Sequence, residues 1–120
     1  MSSIERRAYL RYKISIPVHI EASDGSLFDT VTRDISLGGM QVECDSTMMN
    51  RMLPQGIKTA PGDQVYLQAK FQFPDANESI LIRAHVLGVL RLAESEFSIR
   101  LSFNEIDPTQ QDQLQRLLNQ

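Results

Sequence analysis

The chain has 120 residues, 42% hydrophobic and 22% charged, the size and composition of one globular domain. Its apolar runs break every few residues and its first seven residues hold no apolar stretch, so neither a bilayer span nor a secretory signal is expected, and the expected compartment is the cytoplasm. The net charge of −3 is uneven: in residues 1–13 Arg6, Arg7, Arg11 and Lys13 stand against Glu5, a net +3 that leaves −6 for the rest. An acidic body with a basic head argues against a general nucleic-acid binder and allows a compact anionic ligand at the head.

Residues 1–13 show no apolar alternation and are read as a flexible basic segment. Ile14, Ile16, Val18 and Ile20 then alternate with polar residues, a strand with one buried face. Pro17 donates no ladder hydrogen bond, so this strand is expected at an edge or to start late. Asp24-Gly25 marks a turn, and residues 27–33 a second strand, hairpin-paired with the first. Asp34-Ile35-Ser36-Leu37-Gly38-Gly39 reads as a turn, and Met40, Val42 and Cys44 as the inner face of a third strand.

Met48, Met49, Met52 and Leu53 suggest a short helical turn before Pro54. Residues 65–73, 80–90 and 97–103 alternate as strands four to six. The period then changes. Asp107 offers an N-cap, Pro108 a first helical position and Gln110 the third residue of a capping box, with Leu114, Leu117 and Leu118 on one stripe. The pattern is a small antiparallel barrel or sandwich over 14–104 with a helix over 107–120 packed on it.

Enzyme signatures are absent. Cys44 alternates with Met40 and Val42 and reads as core. His19 and His85 lie at polar strand positions without metal-ligand spacing, and a single cysteine makes neither a disulfide nor a cysteine cage. There is no phosphate-binding glycine loop and no nucleophile elbow. No catalytic residue and no metal site are therefore assigned.

Two weak motifs remain. Arg7 and Arg11 form R-x-x-x-R with Arg6 ahead, and Asp34, Ser36 and Gly39 form D-x-S-x-x-G. In this order, with one hairpin between them, they resemble the PilZ domain, the bacterial receptor module for cyclic di-GMP. The resemblance covers about residues 5–104. One departure is that the last strand carries 97–101 (Phe-Ser-Ile-Arg-Leu) where the family often has a glycine.

The resemblance implies an all-β fold, a small six-stranded antiparallel barrel with a C-terminal α-helix, standing alone. It implies a cyclic di-GMP site at Arg6, Arg7, Arg11, Asp34, Ser36 and Gly39, no cofactor, and an unidentified downstream protein partner. Nucleic-acid binding and membrane insertion are not expected. Arg6 implies a stacked pair of ligand molecules, since a second dinucleotide brings further phosphates. The alternative is a PilZ scaffold or pilus-assembly adaptor without nucleotide.

The chemistry suits the assignment. An arginine fork matches both phosphate oxygens and the N7/O6 acceptor pair of guanine, and its plane stacks on purines. A carboxylate such as Asp34 suits guanine's N1 and N2 donors, Ser36 can add a hydroxyl bond, and a glycine at 39 would let a ligand approach the backbone.

Overall fold

The computed structural model describes residues 10–54, 56, 65–73 and 76–119. Six strands, β1 (Pro17–Ala22), β2 (Leu27–Ile35), β3 (Gly39–Asp45), β4 (Tyr66–Phe73), β5 (Glu78–Ala93) and β6 (Glu96–Asn104), close a barrel in the order β1-β2-β3-β6-β5-β4. Every pairing is antiparallel. Helix α1 (Ser46–Met52) follows β3 and helix α2 (Pro108–Leu118) follows β6.

The two-residue period decides what fills the barrel. Val18, Ile20, Met40, Val42, Phe71, Ile82 and Ile99 come from alternating positions and are almost wholly buried. Met48, Met52 and Leu53 of the α1 segment join this core. Asp45 caps α1, its carboxylate accepting from the Met48 N–H at 2.8 Å.

Pro17 stands first in β1. The barrel has no edge, so of the two expectations the late start holds. The alternation from Ile14 therefore overshoots the strand by three residues at its start. There Thr32 holds the chain with backbone and side chain together: its N–H donates to the Ile16 carbonyl at 2.9 Å, and its buried hydroxyl accepts from the Ile16 N–H at 2.9 Å and donates to the Ile14 carbonyl at 2.6 Å.

β2 also runs further than residue 33, to Ile35, because of a bulge. Thr32 faces Val42 and Asp34 faces Gln41, so Arg33 is the extra residue. The bulge turns Asp34 to the outside with Gln41 and returns Ile35 to the core opposite Met40. β5 likewise extends to Ala93, with irregularities between Val86 and Gly88 and between Arg91 and Ala93.

α2 forms as its capping signals require, with the Asp107–Gln110 box complete and Pro108 in the first turn. Leu114, Leu117 and Leu118 are buried, each stabilising by roughly 1.5–3 kcal/mol. Arg116 grips Glu78 of β5 with both terminal nitrogens, at 3.0 and 3.1 Å, and Gln113 adds a third bond at 3.0 Å.

Candidate functional site

The chain enters the barrel along the end of β2. The Tyr12 N–H donates to the Ile35 carbonyl at 2.7 Å, and the Ile35 N–H returns to the Tyr12 carbonyl at 3.0 Å. The Tyr12 hydroxyl also donates to Asn119 at the end of α2, at 2.9 Å. Tyr12 of the basic segment is thus seated against the barrel, whereas residues 1–9, with Arg6 and Arg7, lie outside the described residues.

This bridge sets Arg11 beside Asp34. Arg11 Nη1 donates to Asp34 Oδ1 at 2.7 Å. The second carboxylate oxygen accepts from Gln41 Nε2 at 3.0 Å, and Gln41 Oε1 accepts from the Ser98 hydroxyl at 2.9 Å. Ser98 is fully buried. Strands β2, β3 and β6 therefore hold Asp34 in one orientation, while Arg11 keeps 46% of its side chain exposed. An ion pair that open to water contributes about 1 kcal/mol or less. Its value lies in geometry: one guanidinium nitrogen is committed, and the rest of the fork has no bond among the described residues.

Ser36 and Gly39 have other duties. The Ser36 hydroxyl accepts from the Gly38 and Gly39 N–H groups at 3.1 and 3.2 Å and donates to the Gly39 carbonyl at 3.3 Å. It is buried inside the turn it stabilises. Gly39 needs its missing Cβ for packing: a Cβ there would overlap the Leu101 carbonyl oxygen of β6 and lie 3.2 Å from the carbonyl carbon. The glycine thus answers to the packing of β6, and neither residue lines the cleft described next.

A cleft of about 450 Å³ opens on the outer barrel surface beside Asp34, with Gln41 and Ser98 in its wall. That volume falls in the range of small-molecule sites. A second cleft, about 520 Å³, lies between α1 and the β2–β3 strands, lined in part by Phe28, Met48 and Phe97. It is the larger, but it contains no motif residue, so the candidate chemistry belongs to the smaller one. Sequence reasoning missed Gln41 and Ser98. Both look like ordinary outward strand positions, and Ser98 is 57 residues from Gln41.

Among the described residues the thiol and both imidazoles have local partners. Burial, with the neighbouring Asp45 charge second, pushes the Cys44 thiol up to about 11, so it stays protonated near neutrality. His19 pairs with the exposed Asp29 at 2.6 Å and His85 with Asn104 at 2.7 Å. Among the described residues no group of histidine, cysteine and carboxylate side chains is placed to hold a metal, and no helix is long and apolar enough to cross a membrane.

Comparison with known proteins agrees with this architecture. The PilZ domain model matches residues 5–120. No curated protein matches. Among solved structures, the PilZ domain of CeSA from a cellulose-synthesizing bacterium is 18% identical, with a TM-score of 0.59 over 92% of this chain and 95% of that one. The PilZ domain of YcgR from Escherichia coli, with c-di-GMP, is 17% identical, with a TM-score of 0.68 over 95% of this chain and 89% of that one. The MrkH–c-di-GMP complex of K. pneumonia is 19% identical, with a TM-score of 0.71, and this chain spans 51% of it. With the family model covering nearly its whole length and a closed six-stranded barrel beneath it, the chain belongs to the PilZ domain family.

Proposed function

We propose that this chain is a cyclic di-GMP receptor that works in the cytoplasm, carries out no catalysis and passes its signal to a protein partner. The observation that carries the reading is the Arg11 guanidinium lying against the Asp34 carboxylate beside an outer cleft. That pair offers a fork for phosphate or guanine N7/O6 and an acceptor for guanine N1 and N2. Arg7 joins Arg11 on the ligand, Ser36 and Gly39 hold the turn beneath it, and Arg6 serves a second, stacked molecule. YcgR and MrkH, both solved with c-di-GMP, support the reading by likeness of fold.

Isothermal titration with cyclic di-GMP tests it. Saturable binding near two molecules per chain is the expected result. A ratio near one would remove the role of Arg6, and no binding would leave a PilZ scaffold or adaptor as the reading.

The signal would arise by ordering the head. Arg6, Arg7 and Arg11 repel one another until a multiply charged ligand draws them together, and ordering a segment creates a new surface for a partner. The Tyr12 amide is bonded to the Ile35 carbonyl, so hydrogen exchange should slow most over residues 5–11 when cyclic di-GMP is added. Equal protection in both states would put the switch elsewhere.

A further inference from the structure

The cleft beside Asp34 contains more than the two motifs use. Arg33 is the extra residue of the β2 bulge, exposed and directed outward next to Asp34. Lys13 follows the Tyr12 bridge and is also exposed. Both line the cleft, Arg33 at the border it shares with the larger cleft, and neither side chain has a hydrogen bond or ion pair among the described residues. Glu43 is in the same wall. With Asp34 matched by Arg11 and Glu43 offsetting one of Lys13 and Arg33, one positive charge is left at the cleft on a protein whose net charge is −3.

The rim is apolar. Leu90 and Leu92 are 55% and 42% exposed, and Ile14 is 36% exposed. Single exposed leucines need no explanation, but three apolar side chains around one charged cleft do. The position of Leu90 is held by register. Leu90 stands opposite Ser98 on β6, and the Ser98 hydroxyl is the anchor of the Gln41–Asp34 chain. The apolar rim and the oriented carboxylate are thus parts of one surface. A free phosphate would use only the cations, and a greasy ligand only the leucines. A ligand with flat apolar faces, polar base edges and phosphates uses all three.

We infer that Lys13 and Arg33 bind the phosphates of a purine dinucleotide in this cleft, while Leu90, Leu92 and Ile14 cover a purine face and Asp34 reads its edge. The inference rests on the receptor reading and adds five residues to it. Phosphate contacts of this kind position without reading the base, and an apolar wall tolerates either purine, so discrimination stays with Asp34 and the arginine fork.

The test is titration of cyclic di-GMP into wild type, Lys13→Gln, Arg33→Gln, Leu90→Ser and a control, Leu81→Ser. Leu81 is 54% exposed on the same strand but outside the cleft. Lys13→Gln and Arg33→Gln should each weaken binding about tenfold and make it less salt-sensitive, since a lost charge-assisted bond costs about that much. Leu90→Ser should weaken cyclic di-GMP and cyclic di-AMP by the same factor, roughly three- to tenfold, and Leu81→Ser should change nothing. In wild type, the Leu90 and Leu92 methyl resonances should shift at saturation, a measurement independent of any variant's folding. If wild type binds but the three cleft variants match it and these methyls stay still, the inference fails and the receptor reading stands. If wild type does not bind, both fail.

Discussion

Two arginine–carboxylate pairs in this molecule use the same groups for opposite ends. At the α2 end, Arg116 closes both terminal nitrogens on Glu78, Gln113 adds a third donor, and three buried leucines fix the helix beneath them. At the β2 end, Arg11 spends one nitrogen on Asp34 and is held by a single bridge, whereas Asp34 is anchored from below by Gln41. The first pair has satisfied itself. The second orients the carboxylate and leaves the cation open to a further partner. An ion pair becomes a binding site when one member is fixed and the other remains under-bonded.

The largest effect that should separate the two regions is Leu114→Ala. The side chain is fully buried, and loss of a buried leucine costs about 2–5 kcal/mol. Urea denaturation should show that loss, while the folded fraction keeps its affinity for cyclic di-GMP. A parallel fall in affinity would mean that the helix end and the cleft are coupled, with the Tyr12–Asn119 bond as the evident route.

Next in size are Arg7→Ala, Arg11→Ala and Asp34→Ala, each expected to weaken cyclic di-GMP binding roughly ten- to a hundredfold with little change in stability. Ser36→Ala should affect the ligand less and stability more, because its hydroxyl serves the turn. If both arginine variants titrate like wild type, the site is misassigned.

Gly39→Ala is expected to destabilise by about 1–3 kcal/mol through overlap with the β6 backbone. Thermal melts in the absence of ligand would show it. A variant as stable as wild type that binds poorly would instead mark Gly39 as a ligand position.

The smallest effect is in acid. Hydrogen bonds from Arg116 and then Gln113 hold the Glu78 carboxyl below its ordinary value of 4.5. Its pairing therefore stabilises the fold above that value, and the contribution is lost as pH falls through the lower folded one. Glu78→Gln should flatten the acid side of the stability profile and leave cyclic di-GMP affinity unchanged. A profile identical to wild type would show that the pair is inert.

Much of this molecule could be read in one dimension because the deciding forces are local. Strand alternation from Val18 to Phe103 follows from Cβ atoms leaving a strand on alternate sides, and the start of α2 follows from an aspartate, a proline and a glutamine within four positions. The two motifs, taken in order, pointed to the family. Tertiary structure alone decided the rest. Closure of the barrel, which left Pro17 no edge to occupy, is a property of the whole sheet. The bulge at Arg33 exists because Ile35 must return to the core while Asp34 meets Gln41, a balance between strands that no local period records. Gly39 answers to Leu101, and Gln41 to Ser98, across 57 or more residues of chain. Register across a closed barrel sets those contacts, and register is fixed by every strand at once.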